Sequence, residues 1–314
     1  MKRKKLILLL KLLITIGLLA YIFSLISVEQ LLGILKQVSL IYFLFSFLVA
    51  LCTRLVDAYH FQLLTRGQGL NLTFLRILEV NLITSFYGHV LPGYIAGGAI
   101  RWYRLAKYDK KPVHILAAIL FNRAIELGIL SGVGLLSWLL DKHPSKMPIL
   151  GLFFTLIILA TLFGFILTSL DFGRFRPYLK RVPLLNRDFF WNVLDSLKLF
   201  FSYNFDLKLA IIGTGLAKHL LSIFTFYFMT KALGLNVSIL SLSYMRSFLS
   251  IIALLPISFS GVGVRDISLV HLLAPFGVSA QSAISLAFAI LARMFMINTI
   301  GGILELRHNL KERE

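Results

Sequence analysis

The chain has 314 residues, of which 58% are hydrophobic and only 15% are charged, a balance that excludes an ordinary soluble domain and indicates a membrane protein. Its net charge is +18, but the basic residues stand between and beside apolar runs, which favours contact with anionic lipid head groups over nucleic acid. The single cysteine, Cys52, lies within an apolar run; it excludes an intrachain disulfide and is interpreted as a packing residue.

Six apolar runs are each long enough to cross a bilayer, which takes about 20 residues. The first follows the basic start Met1–Lys5 and continues to about Ser27 without a small-residue cleavage site. We therefore expect a retained span there rather than a removed signal peptide. The six predicted spans are 6–27, 40–64, 113–140, 148–170, 207–234 and 280–306.

Two further apolar segments, 73–91 and 242–256, each run into a stretch that contains proline and glycine. LPGYIAGGAIR at 91–101 and LPISFSGVGVR at 255–265 share one pattern: Leu-Pro, four residues, Gly, three residues, Arg. Backbone opened by proline and glycine is tolerated at membrane depth only where protein or water satisfies it. Each stretch is therefore predicted to form a re-entrant hairpin.

The predicted hairpins extend over about 73–101 and 242–266. Their special backbone is assigned to Pro92, Gly93, Gly97, Gly98, Pro256, Gly261 and Gly263. Glycines on the N-terminal side of each closing arginine could also present N–H groups to an anion.

The positive-inside rule decides how the hairpins enter the membrane. If the first hairpin turns back, the basic cluster that follows it stays in the cytoplasm with the chain start. That cluster contains Arg101, Arg104, Lys107, Lys110 and Lys111. The DKHPSK loop is then external, and the two hairpins enter from opposite sides because three full spans separate them. The predicted fold is an all-α inverted-topology repeat, 1–140 and 148–306, with both termini in the cytoplasm of a cell membrane.

The cytoplasmic loop 171–206 contains a second helical pattern. From Phe189 to Tyr203, apolar residues recur at helical spacing, with Asp195 and Lys198 elsewhere on the wheel. This pattern predicts a helix lying in the membrane interface. The alternative is that the segment is the start of the next span.

Glycines within two predicted spans indicate close packing between helices. The first set is Gly128, Gly132 and Gly134, and the second is Gly301 with Gly302. Small residues let helix backbones approach each other in a membrane. We assign these glycines no ligand.

Charged side chains within spans are functional candidates, because each costs about 2.5–3.5 kcal/mol on insertion scales. Arg123 and Arg293 occupy matching places in the two halves, after the hairpin arginines. A guanidinium keeps its charge and offers forked donors that fit phosphate oxygens. The predicted ligands of an anionic lipid head group are Arg101, Arg123, Arg265, Arg293, Ser258 and Asn122.

These residues also have structural interpretations, which the sequence leaves open. An arginine and a carboxylate three residues apart share a helix face and can pair. Pairs with this spacing are Arg123–Glu126, Arg76–Glu79 and Arg54–Asp57. Arg265 can pair with its neighbour Asp266, and Arg101 can reach the membrane edge along its own stem. Candidates for ion pairing or coupling are therefore Glu126, Glu79 and Asp266.

These motifs resemble the lysylphosphatidylglycerol synthase transmembrane-region family, a flippase-like module that some bacteria fuse to an aminoacyl-transferase domain. The resemblance covers most of the chain and is most specific at LPGYIAGGAIR with Arg123 and at PISFSGVGVRDISL with Arg293. The chain departs from the family pattern at Ala99, where an acidic residue is usual, and at Asp266, where Glu is usual. The resemblance implies lipid translocation, or a part in lipid-linked sugar or hopanoid pathways, without the aminoacyl-transferase domain.

Two functions of different classes follow. The first is a flippase or scramblase that moves an anionic phospholipid or a polyprenyl-phosphate-linked lipid through an arginine-lined cavity at the midplane. The second is a non-catalytic scaffold that presents lipid to a separate glycosyl- or aminoacyl-transferase. No nucleophile with a base, phosphate-binding loop or metal-ligand spacing is legible, so we expect no enzyme activity, metal or cofactor. The expected partners are membrane lipids, and the oligomeric state is open.

Overall fold

The computed structural model describes residues 38–90, 94–143, 147–170, 188–254 and 263–311. Over these ranges the chain forms ten α-helices and two short 3₁₀ turns, and it contains no strand. The α-helices are α1 (Leu40–Gly67), α2 (Phe74–Val90), α3 (Tyr94–Asp109), α4 (Pro112–Leu140), α5 (Pro148–Ser169), α6 (Asp188–Lys198), α7 (Phe205–Ala232), α8 (Ile239–Leu254), α9 (Val264–Leu273) and α10 (Ala280–Lys311). The 3₁₀ turns are Leu199–Ser202 and Ala274–Phe276.

Five of these helices are long and apolar enough to cross a membrane: α1, α4, α5, α7 and α10. They coincide with five of the six predicted spans, and the sixth, 6–27, lies outside the described residues. Large apolar side chains cover their outer faces, such as Leu152 and Phe163 of α5, which are 60% and 61% exposed. Such an apolar surface suits contact with lipid tails. A helix can lie in that environment because it satisfies its own backbone hydrogen bonds. The chain is therefore a multi-pass membrane protein.

The predicted hairpin segments form two pairs of shorter helices. Helix α2 contacts α3, and α8 contacts α9. The longest of the four, α2, has 17 residues, which is about 26 Å at 1.5 Å per residue and less than the roughly 30 Å of a bilayer core. The turn residues Pro92, Gly93, Pro256, Ser258 and Gly261 lie outside the described residues.

The remaining hairpin glycines have different local roles. Gly97 and Gly98 are helical residues within α3 rather than part of a loop. A Cβ at Gly97 would meet Thr84 of α2 at 3.5 Å, an ordinary contact distance, so the glycine faces α2 without being required by space. Gly263 has a φ of 86°, a conformation that favours glycine, and it caps the start of α9.

The corners that follow α1 and α7 repeat each other. Residues 65–71 read TRGQGLN and residues 230–236 read TKALGLN. In both, a glycine with positive φ ends the helix: Gly69 at 67° and Gly234 at 68°. Gly69 N donates to the Arg66 carbonyl at 2.9 Å, and Gly234 N donates in the same way, at 3.0 Å, to the carbonyl three residues earlier. These are helix C-terminal caps that glycine favours.

The next helix begins in the same way after each corner. Thr73 precedes α2, and its Oγ1 accepts from the backbone of Arg76 at 3.4 Å. Ser238 precedes α8, and its Oγ accepts from Ser241 N at 3.0 Å. Threonine and serine satisfy free N–H groups at helix starts. The same order of elements therefore occurs twice in the described chain: a helix, a glycine corner, a hydroxyl cap and a second helix.

Helix contacts also occur in matching pairs. Helix α1 packs along α7, and this is the most extensive helix contact in the described structure. Helix α2 packs on α10 as α8 packs on α4, and α3 contacts α4 as α9 contacts α10. Each of the long helices α4 and α10 therefore packs against a shorter helix from the other part of the chain, α8 and α2 respectively.

The described residues form two hydrophobic cores. One is centred on α1 to α4 and contains Phe61, Ile77, Leu105 and Ile115, which are each 0% exposed. The other is centred on α7 to α10, with Tyr244, Met245, Leu269 and Leu273 among its members. Ile211 of α7 belongs to the first core and Leu130 of α4 to the second, so each core joins helices from both parts of the chain.

The helix predicted around Phe189–Tyr203 is present as α6 and the 3₁₀ turn that follows it. Trp191 and Phe200 are buried, while Phe189 and Phe190 are exposed. Helix α7 starts separately at Phe205, where the side chain of Asn204 accepts from Leu207 N at 3.1 Å. The segment is thus a distinct amphipathic helix that packs on α4 and α5.

The predicted packing glycines differ in how closely they are approached. A Cβ at Gly301 would lie 2.1 Å from the backbone oxygen of Leu82, so α10 and α2 touch through their backbones. A Cβ at Gly134 would lie 2.6 Å from the ring of Phe154. A Cβ at Gly132 would meet nothing within 4 Å. Close helix packing is thus confirmed at Gly301 and Gly134 and is not seen at Gly132.

Candidate functional site

Lys218, in the middle of α7, joins two carboxylates from different helices. Its Nζ lies 3.0 Å from Asp57 Oδ1 of α1 and 3.3 Å from Glu126 Oε1 of α4. The Lys218 side chain is 13% exposed, and those of Asp57 and Glu126 are 23% and 22% exposed. A lysine between two carboxylates offsets most of the cost of burying all three charges.

Further groups surround this ion-pair network. Arg123 Nη1 contacts Glu126 Oε2 at 2.7 Å. Asn81 Nδ2 of α2 donates to Asp57 Oδ2 at 3.1 Å. Arg101 of α3 is 9% exposed, stacks over the ring of Phe61 and lies within electrostatic range of Asp57. We call the set Asp57, Arg101, Arg123, Glu126 and Lys218 the mixed cluster.

A second group of charges is dominated by arginine. Arg293 of α10 is 7% exposed, and its Nη1 donates to Ser46 Oγ at 2.7 Å and to the Thr225 carbonyl at 3.4 Å. Arg246 of α8 donates through Nε to Ser222 Oγ at 2.8 Å. Arg54 of α1 donates to a serine hydroxyl of α2 at 3.3 Å. Arg246 and Arg54 both lie within electrostatic range of Arg293.

Arg265 completes this second group and has its own carboxylate. Its Nε and Nη2 lie 2.8 and 2.7 Å from Asp266 Oδ1. Asp266 Oδ2 also accepts from Gly263 N at 3.0 Å, so the carboxylate caps α9 as well. We call the set Arg54, Arg246, Arg265, Arg293 and Asp266 the arginine cluster.

The charges of the two clusters do not balance. Among the described residues they contain seven basic and three acidic side chains, and the imbalance lies mainly in the arginine cluster. Asp266 is used by Arg265, whereas Arg54, Arg246 and Arg293 bond only hydroxyls and a carbonyl within the described part of the chain. Nε of Arg293 is buried without a hydrogen-bond partner there. Like charges at this range raise the free energy of the empty site, and an anion would lower it.

Two other buried carboxylates lie near the ends of α4 and α10. Glu305 of α10 contacts Arg104 of α3 and accepts from the Tyr87 hydroxyl of α2 at 2.8 Å. Asp141, directly after α4, accepts from Ser241 Oγ of α8 at 2.7 Å. Both carboxylates therefore tie the last span of one half to a shorter helix of the other. Neither has one of the three arginines Arg54, Arg246 and Arg293 as a partner.

The predicted site residues are divided between the two clusters. Arg101 and Arg123 belong to the mixed cluster, and Arg265 and Arg293 to the arginine cluster. Asn122 is buried, and its Oδ1 has no hydrogen-bond partner among the described residues. The burial of Arg101 does not fit a side chain that extends to the membrane edge.

The predicted ion pairs have different outcomes. The pairs Arg123–Glu126, Arg265–Asp266 and Arg76–Glu79 are present, the last at 3.3 Å on a partly exposed face. The possible pair Arg54–Asp57 does not form a direct contact: Asp57 binds Lys218, and Arg54 lies within electrostatic range of Asp57.

Sequence reasoning did not assign Lys218 or Arg246 to the site and treated Arg54 only as a pairing residue. A signal for them was present, because Lys218 lies within the predicted span 207–234 and Arg246 within the apolar segment 242–256. Any basic residue within an apolar run is a candidate on the same ground as Arg293.

The described residues contain no group of three or more His, Cys, Asp or Glu side chains that could hold a metal ion. The clusters can instead bind through guanidinium and ammonium donors, which suit phosphate and carboxylate oxygens.

A comparison with protein families gives one match: the family described as lysylphosphatidylglycerol synthase TM region matches residues 8–302, which is nearly the whole chain. No curated protein and no solved structure matches significantly.

Proposed function

The chain belongs to the lysylphosphatidylglycerol synthase TM region family, and from this membership and its buried charges we propose that it translocates an anionic lipid across the membrane. The family name associates the chain with membrane lipids and assigns it no reaction. The proposed activity is that of a flippase or scramblase, with lipid head groups passing the arginine cluster while their tails remain in the bilayer.

The observation that carries this proposal is the excess of basic side chains within the helices, where Arg293 is buried and Arg54 and Arg246 are partly buried. Three arginines that make no ion pair with a carboxylate would be expensive to retain within apolar helices unless a ligand repaid the cost. A purely structural network tends to contain equal numbers of basic and acidic side chains. The mixed cluster is close to that balance, because Lys218 binds both Asp57 and Glu126. The arginine cluster departs from that pattern, and an anionic head group supplies the missing charge.

The repeated architecture supports the proposal. In inverted-repeat transporters, broken helices meet near the midplane and form the substrate site, and one repeat rocks against the other. The matching corners, the matching helix contacts and the short helices α2, α3, α8 and α9 fit six spans with two re-entrant hairpins. In this arrangement both termini and the basic end of α3 face the cytoplasm.

The second candidate is a lipid-presenting scaffold for a separate transferase, and one observation favours it. Arg123 and Arg265 are both paired with carboxylates of their own helices, as expected where arginines are neutralised within the protein and bind no ligand. Arg54, Arg246 and Arg293 do not follow that pattern, so we prefer translocation.

Transbilayer movement in reconstituted vesicles tests the proposal. The purified protein is inserted into vesicles that contain fluorescent anionic or zwitterionic lipids, and the fraction accessible to an external quencher is followed over time. We expect the wild type to move anionic lipid faster than protein-free vesicles do. We expect Arg293→Ala to slow this movement roughly tenfold or more, the value of a charged hydrogen bond.

The matched control is Arg307→Ala, because Arg307 lies on the same helix, α10, but is exposed and outside both clusters. Its rate should equal that of the wild type. Folded wild-type protein that moves no lipid faster than protein-free vesicles would contradict translocation and favour the scaffold.

A further inference from the structure

We propose that the arginine cluster is built for a terminal phosphate, a lipid phosphomonoester or diphosphate that carries two or more negative charges, rather than for a phosphodiester that carries one. This inference rests on the proposed translocation and specifies its substrate class. The juxtaposition that carries it is that of Arg54, Arg246 and Arg293, which come from three different helices.

The first argument is charge matching. Arg265 is neutralised by Asp266, whereas Arg54, Arg246 and Arg293 make no ion pair with a carboxylate among the described residues. Asp57 lies within electrostatic range of Arg54 but is shared with Lys218, so positive charge remains in excess. In a low-dielectric interior, a site is most stable when the ligand cancels its net charge. A phosphomonoester supplies about −1.5 to −2 at neutral pH, and a diphosphate supplies more. A phosphodiester supplies one charge and leaves most of the arginine charge without compensation.

The second argument is the number of acceptors. Each guanidinium presents a planar fork that binds two oxygens side by side. A terminal phosphate offers three strong acceptor oxygens to such forks, whereas a phosphodiester has fewer free oxygens because two are bonded to carbon. Donors remain available for this purpose, since Arg246 uses Nε for Ser222 and Nε of Arg293 is buried without a partner among the described residues.

The carboxylates near the two clusters are already bound by other donors; Asp57 lies within electrostatic range of Arg54, but its direct partner is Lys218. Of the fourteen acidic residues in the sequence, ten lie within the described ranges. Asp57 and Glu126 bind Lys218, Asp141 binds Ser241, and Glu305 binds Arg104. Each of these carboxylates already has a donor of its own, so a bound anion is the simplest source of compensating charge.

Equilibrium binding to the full-length protein in detergent tests this assignment. The probes are short-chain phosphatidic acid for the phosphomonoester, farnesyl diphosphate for the diphosphate, short-chain phosphatidylglycerol for the phosphodiester and short-chain phosphatidylcholine as the zwitterionic reference. We expect the first two to bind at least about tenfold more tightly than phosphatidylglycerol. We expect Arg246→Gln to reduce that preference about tenfold, and Arg307→Gln to leave it unchanged.

The outcomes separate this inference from the proposed function. Equal affinity for phosphatidic acid and phosphatidylglycerol, both above phosphatidylcholine, overturns the terminal-phosphate assignment and leaves anionic-lipid translocation standing. No preference for any anionic lipid contradicts both. Inorganic diphosphate that binds as tightly as farnesyl diphosphate overturns the lipid as the source of the phosphate. If Arg246→Gln does not fold, Arg54→Gln and Arg293→Lys test the same preference.

Discussion

Lys218 contacts carboxylates from two other helices, and its ammonium group is the charge on which the mixed cluster depends. Asp57 and Glu126 belong to α1 and α4, whereas Lys218 belongs to α7. In the proposed repeat, this residue therefore joins the two halves at their largest contact. Removing one member of a buried ion pair leaves the other charge without compensation, which costs more than the pair itself contributes.

We expect Lys218→Met to lower the free energy of unfolding by about 3–5 kcal/mol, because two carboxylates then lose their shared cation. Thermal unfolding in detergent micelles measures the change. Lys231→Met is the matched control, since Lys231 lies at the end of the same helix, donates to an asparagine side chain and lies over the Tyr227 ring, and makes no ion pair among the described residues. Adding Asp57→Asn to Lys218→Met should restore part of the stability; a double variant less stable than Lys218→Met would contradict the charge explanation.

Sequence alone could predict four of the basic residues in the two clusters, Arg101, Arg123, Arg265 and Arg293, but not all of their partners. Spacing correctly identified Arg123–Glu126, because both residues are on one helix. It failed for Asp57, because the lysine that binds it is more than a hundred residues away and its position depends on how α1 packs on α7. Which side chains on different helices form an ion pair depends on how the helices pack, and the spacing of residues in one sequence does not show this.

The helices α2 and α10 approach each other so closely that their backbones touch at Gly301. A methyl group there would lie 2.1 Å from the Leu82 carbonyl oxygen, and backbone cannot move aside as a flexible side chain can. This contact is one of the two that join the last span of one half to the shorter helices of the other.

Gly301→Ala should therefore destabilise the protein by about 1–3 kcal/mol, the usual cost of overpacking. Thermal unfolding in detergent gives the measurement. Gly213→Ala is the matched control, because Gly213 is also helical and a methyl group added to it would meet nothing within 4 Å. We expect that control to be neutral or slightly stabilising, since alanine favours helix. Equal effects of the two substitutions would show that the close α2–α10 approach is not required.

Sequence predicted the long helices better than the short ones. The five described spans follow from runs of apolar residues whose length matches a bilayer. The glycines of the first hairpin were placed at its tip, but Gly97 and Gly98 lie inside α3. The similar sequences around Gly69 and Gly234 are visible in the chain. Only the matching helix caps in the structure show that this similarity reflects a repeated local structure.

The whole molecule is organised around the contact of α1 with α7, with matching contacts on either side. If the two halves have inverted topology, the basic end of α3 and the loop after α4 face opposite sides of the membrane. Lys107 is exposed at the first position and Lys142 at the second.

Single-cysteine labelling tests this topology. In a Cys52→Ser background, we expect Lys107→Cys to react with a membrane-impermeant thiol reagent only when the cytoplasmic side is accessible. Lys142→Cys should react only from the opposite side. Labelling of Lys107→Cys only from the external side, with Lys142→Cys labelled only from the cytoplasmic side, would contradict the proposed re-entrant hairpin at α2 and α3.

The residues of the arginine cluster come from both proposed halves of the molecule, and together they carry more positive charge than the fold compensates. The most direct measurement is the position of a bound lipid phosphate, by cryo-electron microscopy of the protein in nanodiscs that contain a phosphomonoester or diphosphate lipid. We expect phosphate density within hydrogen-bond distance of the guanidinium groups of Arg54, Arg246 and Arg293. Density confined to the outer, lipid-facing surface, with these three groups contacting only protein, would contradict the assignment of this cluster as the lipid site.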